Sequence, residues 1–187
     1  MANRNTQGFG LVPAGTLGST PATSGQGKYK IDAGYGTTIY QGGAVASSAG
    51  YIIDGQTTDA PILGVLNGIF YNAATTLKPT FANFYKTPIT PANSEDIDAF
   101  VFDTPQQQYV VATDAAVTQV GFLETYDMNT SAGSDTTGKS SATLDIGDTS
   151  ADAAAFRLLS SAEDPENDEN AAFRSVVVCL NLIELQS

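Results

Sequence analysis

Ile62-Leu63-Gly64-Val65-Leu66-Asn67-Gly68-Ile69-Phe70-Tyr71 is long and strongly apolar, and its aliphatic and aromatic residues are broken only by Gly64, Asn67 and Gly68. It reads as a strand, and the two glycines let that strand curve as the wall of a barrel must. Upstream, Thr37-Thr38-Ile39-Tyr40 and Ala44-Val45-Ala46 flank Gly42-Gly43, the pattern of a kinked or bulged strand. Gly50-Tyr51-Ile52-Ile53 runs into Asp54-Gly55, a hairpin-type turn signal. Downstream, Pro79, Pro88 and Pro91 break the chain into a loop-rich excursion around Phe81, Phe84 and Tyr85.

The second half continues in short strands. Asp98–Asp103 and Gln108–Thr113 are separated by Thr104-Pro105-Gln106-Gln107, which predicts a hairpin, and Gln119–Tyr126 predicts a further strand. Asp127 to Lys139 is a polar loop, followed by a weaker strand over Ala142–Ile146. Asp152–Phe156 is the one helix candidate. The closing element, Phe173 to Leu185, is apolar at nearly every position, so it predicts a strand covered on both faces. The sum is an all-β chain, a β-barrel or β-sandwich of about nine strands.

Composition agrees with this class. The chain of 187 residues is 42% hydrophobic and only 15% charged, which is globular rather than disordered, and long enough to bury a core without disulfides or metals. Its single cysteine, Cys179, lies within Val176–Leu180 and reads as a small buried hydrophobe. Met1–Asn5 has no apolar signal core, which points to synthesis in a cytoplasm, and no stretch is apolar for the ~18 residues a membrane helix needs. Charge is divided unequally. Residues 1–30 carry Arg4, Lys28 and Lys30 and no acid, whereas the rest holds 5 basic and 20 acidic residues, so +3 faces −15. An acidic body repels phosphate backbones, which excludes nucleic acid as an expected partner.

Residues 1–28 read as an extended N-terminal arm and residues 29–187 as the barrel or sandwich domain. Glycine and proline punctuate the arm too often for either period to hold. Ordering its backbone costs ~1–2 kcal/mol per residue, or ~25–50 kcal/mol in all. Phe9, Leu11, Val12 and Leu17 return only ~1.5–3 kcal/mol each. The expectation is an arm loose by itself that orders on a partner, with Arg4, Phe9, Leu11, Val12, Leu17, Lys28 and Lys30 as the contacting residues.

No motif points to catalysis, a cofactor or a metal. Gly133-Ser134-Asp135-Thr136-Thr137-Gly138-Lys139-Ser140 satisfies the phosphate-loop spacing, but that loop works between a strand and a helix, and Ser141–Gly147 favours a strand exit. Asp135 would also set a negative charge in the cradle. A hairpin loop is the expectation. The absence of histidine removes Ser-His-Asp and Cys-His machinery and His-ligated zinc. Paired carboxylates alone do not define a glycosidase cleft, and no tryptophan is present to line one. Glu163–Asn170 is rich in acids yet lacks the alternating spacing and glycine of a calcium loop, and reads as solvent-facing.

Three stretches carry a resemblance. Gly8-Phe9-Gly10-Leu11-Val12-Pro13 leads a Gly/Ser/Thr/Pro segment to Tyr29-Lys30-Ile31. Ile39-Tyr40-Gln41-Gly42-Gly43-Ala44-Val45 leads to Ile62–Gly68. Arg157-Leu158-Leu159 and Asp164-Pro165-Glu166-Asn167 precede a closing strand that ends Asn181-Leu182-Ile183-Glu184-Leu185. In these the chain resembles the capsid decoration (cement) and minor head structural proteins of tailed bacteriophages. The likeness spans most of the chain and is weakest from Thr75 to Ser150, and the acid run is longer than the family's Asp-Pro-Asp-Asn turn. The resemblance implies a non-enzymatic protein on the outer capsid surface of a virion, a homo-oligomer (trimer or dimer) bridging neighbouring copies of the major capsid protein. The alternative expectation is a head-fibre or tail-associated module that binds glycans through exposed Phe81, Phe84 and Tyr85.

Overall fold

Val65 and Leu66, neighbours in sequence, point into two different cores. Side chains alternate across a strand, so a strand apolar at consecutive positions needs cover on both faces. In the computed structural model, which describes residues 3, 5–18, 25–55, 61–129, 133–147, 154–163, 165–168, 170–181 and 184, that strand is β5 (Gly64–Asn72).

Three antiparallel sheets are formed. Strands β1 (Val12–Thr16), β8 (Gln107–Ala112), β13 (Ser175–Leu180), β12 (Phe156–Ser161) and β9 (Thr125–Tyr126) make the first, in that order. Strands β2 (Gly27–Ile31), β7 (Ile97–Phe102), β5, β3 (Ala44–Ser48) and β4 (Tyr51–Asp54) make the second, with β6 (Pro79–Ala82) on the far half of β5. The third is the short pair β10 (Met128–Asn129) and β11 (Thr143–Leu144). The second sheet curls until its end strands β2 and β4 come alongside each other. Inside the curl, Ile31, Val45, Ile52, Leu66, Ile69, Tyr85 and Ile97 form one core. The first sheet packs Tyr109, Val111, Phe156, Leu158, Val176 and Val178 against the outside of that curl, where Leu11, Ala44, Ile62 and Val65 complete the other. The all-β class holds, and sandwich and barrel meet in one molecule.

The number of strands exceeds the nine expected, with thirteen among the described residues, because several are only two residues long. Other expectations are corrected. Thr104–Gln107 does not close a hairpin: β7 lies in the second sheet and β8 in the first, so the turn is a corner between sheets, held by the Tyr109 hydroxyl donating to Phe102 O at 3.0 Å. Only Thr125–Tyr126 of the strand expected over Gln119–Tyr126 is extended, and Gln119–Gly121 is a 3-10 turn. Of the helix candidate, Asp152 and Ala153 lie outside the described residues, Ala154 and Ala155 are not helical, and Phe156 opens β12. No helix among the described residues is long and apolar enough to cross a membrane. The closing strand, β13, sits between β8 and β12 and is buried at every position except the half-buried Val177.

The largest difference concerns the arm. Residues 8–17 are part of the body, and the boundary expected after residue 28 falls inside strand β2. β1 pairs antiparallel with β8, the Leu11 amide donates to Gly42 O at 2.8 Å, and the Leu17 amide donates to Gln106 O at 2.8 Å. These backbone bonds, with the edge they cover, supply what the segment's few apolar side chains do not. Without β1, the outer rim of β8 would be bare backbone beside an apolar core, which β-proteins avoid. Deleting residues 2–17 removes that cover and Leu11 from the core. It is expected to lower the melting temperature by roughly 10–20 °C. A melting temperature within about 2 °C of the full chain would show that the segment contributes nothing to the body.

Candidate functional site

Gly8 and Gly10 explain how the N-terminal segment lies so close to the body. A Cβ on Gly8 would meet Ser141 O at 2.0 Å, and one on Gly10, whose φ is +73°, would meet Gly42 O and Ser140 Cβ at 2.8 Å. Only glycine permits this approach, and only glycine adopts the left-handed conformation without strain. The Gly10 amide donates to Ala142 O at 3.2 Å, so backbone lies on backbone. Alternation then sends Leu11 inward, 1% exposed, and leaves Val12 47% exposed.

Between this segment and the second sheet runs a cleft of about 390 Å³, lined by Phe9, Leu11, Val12, Gln41, Leu66 and Phe102, with Pro13, Gly42, Val65, Asn67 and Lys139 completing its walls. Gln41 holds its floor. Its Nε2 donates to Asn67 O at 3.0 Å and to Asn67 Oδ1 at 3.2 Å, its backbone amide donates to Gly138 O, and its carbonyl accepts from the Ser140 amide. The cleft is therefore apolar along its sides, fixed by backbone hydrogen bonds, and bordered by Lys139.

The phosphate-loop spacing resolves as a hairpin. Gly133 pairs with Ser140, the Ser134 amide donates to Lys139 O at 2.9 Å, and the chain leaves into β11 rather than a helix. Asp135 is engaged by the Tyr40 hydroxyl at 2.7 Å and by Lys86 Nζ at 3.0 Å, and these bonds hold its carboxyl below the ordinary aspartate value.

The expected contact residues separate into groups. Phe9, Leu11 and Val12 meet at the cleft, but Leu11 is a core residue and cannot reach a partner. Leu17 is half-buried beyond β1, and Arg4 lies outside the described residues. Lys28 and Lys30 stand on β2, where both bond one carboxylate, Asp98, at 2.7 and 2.6 Å. Burial pushes the Asp98 carboxyl up, but the two lysine bonds outweigh it and leave it below the ordinary value. The aromatic cluster expected for glycans is also corrected. Phe81 is exposed, Phe84 stacks on Tyr40 at 5.7 Å, and Tyr85 is fully buried with its hydroxyl donating to Tyr35 O at 2.5 Å. In the acidic loop, Asn167 serves as a clasp: its Nδ2 donates to Ser175 O at 2.7 Å and its Oδ1 accepts from the Ser175 amide. Asp164 and Glu169 lie outside the described residues, and no metal-holding group of carboxylates gathers among those described.

Sequence reasoning missed Gln41, Asn67 and Phe102 as cleft residues. Phe9–Pro13, Gln41-Gly42 and Val65–Asn67 are far apart in sequence and adjacent here, a juxtaposition that no local pattern marks.

Two substitutions test the geometry. Gly10→Ala is expected to destabilise by roughly 1–3 kcal/mol or more through strain and collision, whereas Gly18→Ala, at a similar φ of +72° with nothing nearby, costs only the strain; equal effects in urea unfolding would contradict the close approach. Asp98→Asn is expected to cost about 1 kcal/mol at neutral pH. A depressed carboxylate stabilises fully above its unfolded pKa and loses that contribution as pH falls through its lowered folded value, so the difference between wild type and variant should begin to shrink near about pH 4 and keep shrinking as the solution becomes more acid; a difference that grows as pH falls below about 4 would contradict the ion pairing. Comparison with protein-family models, with curated protein sequences and with solved structures finds no match to this chain.

Proposed function

We propose that the chain is a non-catalytic virion protein that decorates the outer surface of a tailed-phage capsid and stabilises it by bridging neighbouring copies of the major capsid protein, itself acting as a homo-oligomer. The observation that supports this reading is the convergence at one cleft. Segments of two of the three stretches in which the chain resembles such proteins, Phe9–Pro13 with Gln41-Gly42 and Val65–Asn67, line the same apolar groove, with Val12 exposed on its lip.

The N-terminal segment shapes the clip rather than forming it on arrival. A groove already held by the bonds at Gly42, Ala142 and Asn67 loses little freedom when a capsid loop enters it, so a modest apolar contact retains most of its value. Many weak contacts on a lattice then combine through multivalency. The net charge of −12 keeps such a protein soluble at high copy number and away from packaged nucleic acid. Phe81, Phe84 and Tyr85 do not form a single exposed patch, so a glycan-binding head-fibre or tail module has less support.

The test is sedimentation of the purified chain with undecorated capsids of the phage that encodes it. Saturable binding of hundreds of copies per particle is expected, with Val12→Asp weakening it at least tenfold, about 1.4 kcal/mol, at unchanged melting temperature. About a dozen copies per particle, or no binding, would remove the decoration reading.

A further inference from the structure

Arg174 is 7% exposed and has no carboxylate partner among the described residues. Its Nη1 donates to Val117 O at 2.7 Å, its guanidinium carbon lies 5.4 Å from the Phe122 ring centroid, and its Nε is shut away from solvent with no hydrogen-bond partner. A guanidinium cannot shed its charge to escape this position. One carbonyl and one ring face leave its Nε–H unmet and the cation without a counter-charge, in a chain where acidic residues outnumber basic ones by 20 to 8.

Two backbone irregularities converge on the same place. Arg174 lines a cavity of about 300 Å³ with Phe122, Leu123, Leu159 and Ser160. In the pairing of β12 with β13, Leu158 faces Val178 and Ser160 faces Val177, so Leu159 is the extra residue of a bulge. Leu123 adopts a φ of +68°, costly for a bulky side chain. Its amide donates to Leu158 O and its carbonyl accepts from Arg157 Nη1, which pin the loop in that state. Bulges and left-handed residues of this kind re-aim side chains beside binding sites. Leu123, which lines this cavity, is 63% exposed and sets an apolar edge beside the buried cation.

We propose that the Arg174 cavity is a docking pocket for an acidic side chain of a partner protein, an Asp or Glu flanked by an apolar residue, with the carboxylate received by the guanidinium and the apolar neighbour lying on Leu123. Charge complementarity selects the carboxylate, whose two oxygens match the arginine fork. The exposed Leu123 side chain selects a protein-borne carboxylate over a free one, because a small anion would leave it in water. This inference stands apart from the capsid reading and needs no assumption about which partner supplies the acid.

The experiment follows the Arg174 Nε–H resonance and the Leu123 and Ser160 amides in the full chain by NMR during titration with acetyl-Leu-Glu-amide. Saturable shifts are expected, with acetyl-Leu-Gln-amide, sodium acetate and inorganic phosphate each binding at least tenfold more weakly. Arg174→Lys keeps the charge but loses the fork, and should weaken the glutamyl peptide at least tenfold. Should that variant fail to fold, Ser160→Glu, which carries its own carboxylate into the cavity, should block the peptide to the same degree. Equal binding of the Glu and Gln peptides, tighter binding of acetate or phosphate, or undiminished binding to a folded variant would overturn the proposal.

Discussion

The requirement that the β3–β5 wall be buried on both faces governs the rest of the molecule. Ala44 and Val65 face the first sheet, while Val45 and Leu66 face the inside of the curled second sheet. One pair of strands thus serves as the partition between two cores, and neither core closes without it. The partition ends where β5 leaves the first sheet's cover, and there the chain must supply something else. It supplies its own N-terminus: Leu11 enters the core, β1 covers β8, and Gly42 accepts the Leu11 amide. The cleft is what this closure leaves open on its outer side.

Much of this architecture is legible in the sequence because it rests on consecutive apolar residues. The stretch from Ile62, the Asp98–Asp103 and Gln108–Thr113 strands and the closing run before Leu180 all announce themselves by composition. The N-terminal segment does not, since its attachment is made by backbone atoms and by the absence of side chains at Gly8 and Gly10. A tally of greasy side chains is blind to both terms. Tyr85 misleads for a related reason: it lies in a proline-broken stretch that looks like a surface loop, yet it bridges backbone with Ile39 and fills the inner core.

The arginine pocket was not legible at all. The tetrapeptide Ala-Ala-Phe-Arg occurs at Ala154–Arg157 and again at Ala171–Arg174, with opposite outcomes. In the first copy Phe156 is buried and Arg157 exposed, whereas in the second Arg174 is buried and Phe173 only half so. Phe173 has a φ of +60°, and its amide and the Arg174 carbonyl both bond Thr113, so the chain reverses its facing just before β13 begins. Local sequence carries no mark of that reversal. It follows from tertiary pairing with the end of β8, in the same way that Gln119–Gly121 becomes a 3-10 turn despite an apolar run that favours a strand.

Amide hydrogen exchange at Leu11 in the isolated chain tests most directly whether the N-terminus belongs to the body. Its N–H is bonded to Gly42 O beside a buried side chain, so protection comparable to that of the β8 and β13 amides is the result this architecture requires. Exchange at the rate of an unstructured peptide, with β8 and β13 still protected, would contradict it.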